Sequence, residues 1–388
     1  MITAELRRAI LAAAGPADGD PQLRPAGGPG RYASSLPFRL TRPGQDPRAV
    51  AAGMAARLET EPWIATAEVT GAGYLTVTVT PDALAALAVR IPRAGPACAA
   101  SDALHGRTVP DPPPADPLTE PTWPRARAVL AAQLTARLAT TAGATLFFPK
   151  RTPLPPLAPP FPATKENGPV VPAVADADAD AGPAVSAVAH ADADAGPVVS
   201  AVAHADADAG PVVAAVPHAD AEPGPVVSAV AYAGPDAVRF ALARMPPGAP
   251  APEPALVARH VLANPAYAVR YAHAAAAAVL RWAAALGTSP AGFRPRLLAE
   301  PPGSDELALL DVLSWLPERV AVAARRGRPD EFAGYLEELA TQTIDTMNTT
   351  GFTTISSISS ERLWLADAAR TALATGLGLL GVDAPARL

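Results

Sequence analysis

Four side chains that suit contact with nucleic acid fall between residues 264 and 273. Tyr267 and Tyr271 are four apart, so a helix would place them on one face, where aromatic rings can stack on unpaired RNA bases. Arg270 could bind phosphate, and His273 could contact a base. Structural explanations stay open as well: the tyrosines pack in a core, the arginine is solvated, and the histidine packs between helices.

The same stretch contains a strong signal for the start of a helix. Asn264 is a good N-cap residue and Pro265 suits the first turn, so we expect a helix that runs to Gly287. Asn264 is itself a candidate RNA-binding residue.

Two further basic groups are candidate phosphate contacts. Arg31 and Tyr32 follow Gly30 in a segment that could bring backbone close to RNA, although Tyr32 could equally pack under a sheet. Arg325 and Arg326 belong to a basic cluster at the expected end of a helix, where they could also interact with the helix dipole.

The residues favour no catalytic or metal site. Cys98 is the single cysteine, which excludes an internal disulfide or a paired-cysteine zinc site and fits a reducing, cytoplasmic setting. No Gly-x-Ser-x-Gly or phosphate-loop motif is present, so we predict no catalytic residues, no metal and no cofactor. The N-terminus is a poor signal peptide, and no apolar run suggests a membrane partner.

The chain divides into three segments, and the fold class expected is α+β. Residues 1–91 read as a small N-terminal α/β module, in which Tyr74 to Thr80 alternates as a half-buried strand. Residues 236–388 read as an all-α bundle of amphipathic helices. Residues 92–235 are predicted to be a disordered Pro-rich and Asp-repeat linker with one helix near 125–141.

The linker contains a 14-residue repeat of unknown function over residues 174–232. Residues 171–235 carry nine acidic and no basic residues, so this segment accounts for more than the whole net charge of −6. A solvated linker is the simplest interpretation, and a metal site from its Asp and His residues is the alternative. The acidic segment would weaken non-specific contact with RNA.

Both ends of the chain resemble arginyl-tRNA synthetases. The C-terminal region is similar to the DALR anticodon-binding domain of that family, and the N-terminal region resembles its N-terminal additional domain. The stretches that carry the resemblance are 234–242, 264–281, 335–340 and 362–388 at one end, and 30–35 and 68–75 at the other. Arg31, Ala275 and Leu388 depart from the family pattern.

The family's catalytic motifs are not found in this sequence. The nearest remnants, Leu104 to Arg107 and Thr164 to Gly168, lack the paired histidines and the lysine-bearing loop that hold ATP phosphates. We therefore expect a catalytic domain to be missing and the protein to be a pseudoenzyme. The alternative is an arginine–tRNA ligase with degenerate motifs, for which ATP would be required.

The resemblance implies a function in binding tRNA, most simply an arginine tRNA. The N-terminal module would contact the outer corner of the tRNA and the bundle its anticodon loop, with the linker tethering two independent sites. A protein-interaction module without RNA binding is the second alternative. The sequence leaves the cognate tRNA, the physiological role and the oligomeric state open.

Overall fold

A computed structural model describes residues 1–15, 19–112, 114–148, 224–299, 304–349, 352 and 359–388. Residues 1–150 and 222–388 form one compact unit. The 14-residue repeat before Gly224, and with it the predicted disorder and the possible metal site, lies outside the described residues.

The N-terminal module is a four-stranded antiparallel sheet flanked by helices. Its strand order is β1-β2-β4-β3. The elements in chain order are α1 (Ile2–Ala14), β1 (Arg24–Pro25), β2 (Arg31–Ser34), α2 (Leu36–Leu40), α3 (Pro47–Leu58), β3 (Ile64–Thr70), β4 (Tyr74–Val79), α4 (Pro81–Ala85) and α5 (Leu87–Ala94).

Local sequence explains how this module forms. The Asp46 carboxylate caps α3 by accepting from the backbone N–H of Arg48 at 2.9 Å, and Pro47 occupies the first turn. Gly73 has a φ of +130°, and a Cβ there would lie 2.8 Å from that of Pro47, so the turn between β3 and β4 requires glycine. Leu75, Val77 and Val79 are buried, as their alternation along β4 predicts.

Residues 95–148 are folded, which differs from the expected linker. They contain a 3₁₀ turn (Gly95–Ala99), β5 (Thr108–Pro110), a second 3₁₀ turn (Pro117–Thr119), α6 (Trp123–Thr141) and β6 (Thr145–Phe147), and β5 pairs in parallel with β6. The prolines do not prevent this, because Pro117 and Pro124 occupy the first turns of their helices. Leu130, Leu134 and Leu138 of α6 are buried in the core.

The C-terminal region is helical, as the sequence predicts. Its elements are α7 (Pro225–Ala233), α8 (Pro235–Arg244), α9 (Pro254–Val257), α10 (Pro265–Ala285), α11 (Arg296–Ala299), α12 (Asp305–Ser314), α13 (Leu316–Arg326), α14 (Pro329–Met347) and α15 (Ser360–Leu380). Helix α10 packs against α14 and α15, and α6 packs against α13 and α8. The folded part of the expected linker thus shares the core of the bundle.

The two ends of the chain are docked rather than independently tethered. The backbone N–H of Gly30 donates to Asp311 Oδ1 at 2.8 Å, and Thr3 Oγ1 donates to the carbonyl oxygen of Ser314 at 2.7 Å. The Tyr32 ring lies 5.1 Å from the Trp315 ring, centroid to centroid. The idea of two independent sites is therefore wrong for the described structure, because apolar and hydrogen-bonded contacts join the sheet to α12.

Candidate nucleic-acid interface

The N-terminus of α10 is built by the side chain of Asn264. Its Oδ1 accepts from the backbone N–H of Ala266 at 3.2 Å, which caps the helix as the sequence predicts. Its Nδ2 donates to the carbonyl oxygens of Val257 and Arg259, at 2.8 and 2.7 Å. Asn264 thus holds the preceding turn against the helix, and its polar atoms are occupied by the fold rather than presented to a ligand.

That turn places a third ring beside the two tyrosines. The rings of His260 and Tyr267 are stacked with centroids 5.5 Å apart and planes at 14°. Tyr267 and Tyr271 continue the stack at 5.9 Å and 24°. We call these three residues the ring row. His260 is exposed, Tyr267 is half-buried and Tyr271 is 37% exposed, so the row is accessible from solvent.

Sequence reasoning missed His260. It precedes the cap residue Asn264, so helical periodicity does not connect it to Tyr267 or Tyr271. The helix cap at Asn264 was the one signal that could have indicated it. A turn held tightly against the start of a helix places its residues next to the side chains of the first helical turns.

Arg270 lies next to the ring row on α10. Its Nη2 is 3.6 Å from Asp236 Oδ2 on α8, and its side chain is 27% exposed. Its Nε is buried and has no hydrogen-bond partner among the described residues. Arg270 is therefore held near the surface by its ion pair with Asp236, and part of its guanidinium group stays open to an anion.

A mostly apolar groove of about 450 Å³ adjoins the start of α10. It lies between α8 and the segment before Asn264, and its volume is in the range of sites for small organic groups. Arg244 and Arg259 are the arginines in its lining. The apolar lining includes Phe240, Met245, Leu256, Val257 and Val261.

His273 faces the interior and is not part of the row. It is 4% exposed, and its Nδ1 donates to the carbonyl oxygen of Pro385 at 2.9 Å. Burial lowers the pKa of His273 below the ordinary histidine value. The predicted contact with a base is therefore corrected: His273 fastens the C-terminal tail to α10.

Tyr32 is also a packing residue in this fold. Its side chain is fully buried, and its hydroxyl donates to Ser314 Oγ at 2.8 Å. The neighbouring Arg31 points differently: its Nη2 is 3.0 Å from Glu68 Oε1, and the side chain is 41% exposed. Arg31 and Tyr32 were both predicted to contact RNA. In the structure Arg31 is accessible, whereas Tyr32 is enclosed between the sheet and the bundle.

The two arginines predicted at the end of α13 also differ in their accessibility. Arg325 forms ion pairs with Asp20 and with Glu318, and burial lowers its pKa. Its role in this fold is to hold the N-terminal module against α13, which replaces the predicted phosphate contact. Arg326 is 61% exposed and pairs with Glu331 at 3.1 Å, so it remains accessible.

The structure brings Asn264, Tyr267, Arg270 and Tyr271 together at one end of α10, with His260 added. Arg31 lies on the sheet and Arg326 at the end of α13, on other elements. Within the described ranges, no group of three or more His, Cys, Asp or Glu residues could hold a metal ion. No described helix is long and apolar enough to cross a membrane.

Comparisons with known proteins match both ends of the chain. Residues 269–388 match the family model of the DALR anticodon binding domain, and residues 1–79 match that of the arginyl tRNA synthetase N terminal domain. Tyr271 and Arg270 fall inside the first match, whereas His260 and Tyr267 precede it.

Curated relatives match this chain over part of their length. An arginine–tRNA ligase of Clavibacter sepedonicus is 38% identical over 161 residues, which are 40% of this chain and 28% of the relative. One from Renibacterium salmoninarum is 39% identical over 161 residues, 40% of this chain and 29% of the relative. The chain thus spans less than a third of the relatives it matches.

A solved structure of Thermus thermophilus arginyl-tRNA synthetase aligns with 42% of this chain and 28% of its own, at 26% identity and a TM-score of 0.34. The two ends of this chain are thus similar in sequence to the N-terminal and anticodon-binding domains of arginyl-tRNA synthetases.

Proposed function

We propose that this chain binds a tRNA without aminoacylating it, and that the ring row at the start of α10 receives unpaired bases. The observation that carries the proposal is the accessible stack of His260, Tyr267 and Tyr271. It lies at the edge of a region that matches an anticodon-binding domain. Because every base has an aromatic face, such a row can hold loop bases by stacking.

Arg270 and the adjoining groove supply the remaining chemistry. The part-exposed guanidinium group of Arg270 can contact a phosphate next to a stacked base. The groove beside Asn264 is large enough for one extruded base, with Arg244 and Arg259 as donors in its lining. An arginine tRNA is the simplest ligand, because the curated relatives are named arginine–tRNA ligases.

Arg31 is the proposed second contact, at the outer corner of the tRNA. It is accessible on β2, whereas Tyr32 beside it is enclosed. Since the sheet is docked on α12, the two contacts have a fixed separation. Removal of one 14-residue unit, residues 182–195, is therefore expected to leave affinity unchanged.

The proposal is tested by an electrophoretic shift with total tRNA, followed by sequencing of the bound fraction and by titration across salt. A contact-rich binder loses affinity linearly in log salt concentration. Absence of any shift at micromolar protein would favour a protein-interaction module instead.

The relatives' name favours one other function, ATP-dependent ligation of arginine to tRNA. The sequence contains no His-x-Gly-His element, which supports the non-catalytic proposal. Arginine-dependent ATP–pyrophosphate exchange separates the two. Robust exchange by the purified chain would overturn the non-catalytic half of the proposal and leave the tRNA-binding half intact.

A further inference from the structure

Asp236 contacts two separate parts of the bundle through its two carboxylate oxygens. Its Oδ2 is 3.6 Å from Nη2 of Arg270 on α10, and its Oδ1 accepts from the backbone N–H of Asp383 at 3.3 Å. Asp383 belongs to the C-terminal tail, residues 382–388, which follows α15. Asp236 itself lies in the first turn of α8, where the helix dipole favours a negative charge. One carboxylate thus links α8, α10 and the tail.

The tail is fixed on α10 by two further hydrogen bonds. His273 Nδ1 donates to the carbonyl oxygen of Pro385 at 2.9 Å, and Arg281 Nη1 donates to that of Ala386 at 2.6 Å. These two side chains follow Arg270 by three and eleven residues, and such spacings place all three on one face of the helix. The tail therefore lies along the face of α10 that carries this arginine, and it fixes the carboxylate from that side.

Arg270 is a side chain for which a fixed partner matters. The proposed function assigns it a phosphate contact beside the ring row, and it is 27% exposed. A long side chain that is free to change rotamer has to be ordered when it binds. This ordering weakens binding by roughly two- to tenfold for each side chain immobilised. A carboxylate held in place by the fold supplies that order before the ligand arrives.

We propose that Asp236 is a positioning residue for RNA binding, which fixes the guanidinium group of Arg270 beside the ring row while the tail holds the carboxylate. This inference rests on the proposed function. The same carboxylate also repels a phosphate, but the repulsion is the smaller effect. Two negative charges about 7 Å apart in water, at about 0.1 M salt, change affinity by only roughly twofold.

The test is a double-mutant cycle, measured by filter binding of tRNA to the full-length chain at about 0.1 M salt. Asp236→Asn keeps an oxygen for the N–H of Asp383 and removes the charge that holds Arg270. We expect this variant to bind tRNA more weakly by roughly threefold or more. In the Arg270→Ala background the same substitution should cause no further loss, because no guanidinium group is left to position. Its melting temperature should stay within about 3 °C of the native value, since a part-exposed ion pair contributes little to stability.

Asp367→Asn is the matched control for the loss of one negative charge. Asp367 pairs with Arg370 within α15, and its side chain is 21% exposed against 19% for Asp236. Because this pair lies outside the proposed contact, the affinity of Asp367→Asn for tRNA should not fall.

Three outcomes would overturn the inference and leave the proposed function standing. They are tighter or unchanged binding by Asp236→Asn, an equal loss in the native and Arg270→Ala backgrounds, and an equal loss in Asp367→Asn. A native chain that binds no tRNA would overturn the inference and the tRNA-binding proposal together, so the two failures are distinguishable.

Discussion

The hydroxyl of Tyr32 donates a hydrogen bond to Oγ of Ser314, 2.8 Å away, although the two residues are 282 positions apart in the chain. Ser314 Oγ donates in turn to the carbonyl oxygen of Asp311 at 2.6 Å. This short chain of hydrogen bonds lies in the contact between the N-terminal sheet and α12. Tyr32, which the sequence suggested as a ligand contact, instead orients the N-terminal module against the helical bundle.

Replacement of Tyr32 by Phe should therefore weaken stability and leave nucleic-acid binding unchanged. The ring and its packing on Trp315 are retained, while Ser314 Oγ loses a donor in a buried position. We expect a loss of about 1 kcal/mol in the free energy of unfolding, measured by denaturant titration. Tyr74→Phe is the matched control, since Tyr74 is 43% exposed. Equal losses in both variants would contradict the buried hydrogen bond.

Replacement of Gly376 by Ala should destabilise the bundle through a collision. A Cβ at Gly376 in α15 would overlap the side chain of Leu336 in α14. Overpacking of this kind typically costs about 1–3 kcal/mol. Gly378, two residues later in the same helix, has no atom within 4 Å of a built Cβ. Gly378→Ala is thus expected to be neutral or stabilising by up to about 1 kcal/mol, because alanine is the better helix former. Thermal unfolding of both variants measures the difference.

The buried carboxyl of Glu318 predicts a particular dependence of stability on pH. Burial raises its pKa to about 7, against the neighbouring charges of Arg7 and Arg319. Arg325 lies 3.5 Å away on the same helix, and its other carboxylate partner is Asp20. Between pH 4.5 and about 7 the folded protein holds a proton that the unfolded chain releases. This group therefore reduces stability as the pH rises through that window.

Glu318→Gln removes that proton exchange. Relative to the native protein, the variant should become more stable as the pH is raised from 4.5 to 7, by on the order of 3 kcal/mol for the full shift. Urea titrations at several pH values measure the difference, and the exposed Glu59→Gln serves as the control. A difference that does not change with pH, or that changes in the opposite direction, would contradict the raised pKa.

Local signals in the sequence predicted the elements better than their contacts. Helix α10 begins at Pro265 and α6 covers Trp123–Thr141, close to the expected bounds, because caps, prolines and apolar periodicity act within one or two turns. The burial of Tyr32 and His273 depends on Ser314 and Pro385, which are far away in sequence. Nothing in the local pattern distinguishes an aromatic residue that packs across an interface from one that binds a ligand.

The folded segment 95–148 also shows why local sequence was insufficient, because here it predicted disorder where the structure is ordered. Its many prolines are typical of linkers, yet Pro110 lies at a strand end and Pro117 and Pro124 lie in first helical turns. Amino-acid composition gives the number of prolines but not their places in the fold. A proline is tolerated in a folded segment where its position requires no backbone N–H donor.

The role of Arg270 in the proposed function can be separated from that of the rings. Arg270→Ala should reduce the slope of log affinity against log salt by about one, because one phosphate contact is lost. The matched control is Arg239→Ala, since Arg239 donates to the carbonyl oxygen of Gly381 at 2.7 Å and so belongs to the fold. Filter binding of tRNA from about 50 to 200 mM salt measures both slopes. An unchanged slope for Arg270→Ala would remove this residue from the interface.

Truncation of the ring row is expected to weaken tRNA binding at every salt concentration. Stacking on an aromatic side chain is worth about 1–3 kcal/mol per base, so His260→Ala and Tyr271→Ala should each lower affinity by roughly tenfold, with little change in the salt slope. Tyr232→Ala is the matched control, because Tyr232 is 67% exposed on α7 and outside the row. Tyr271→Phe should retain most of the affinity for tRNA, because stacking depends on the ring and not on the hydroxyl. If the alanine variants bind tRNA as tightly as the native chain does, the ring row is not the site that receives bases. Any tRNA binding by the chain would then take place elsewhere.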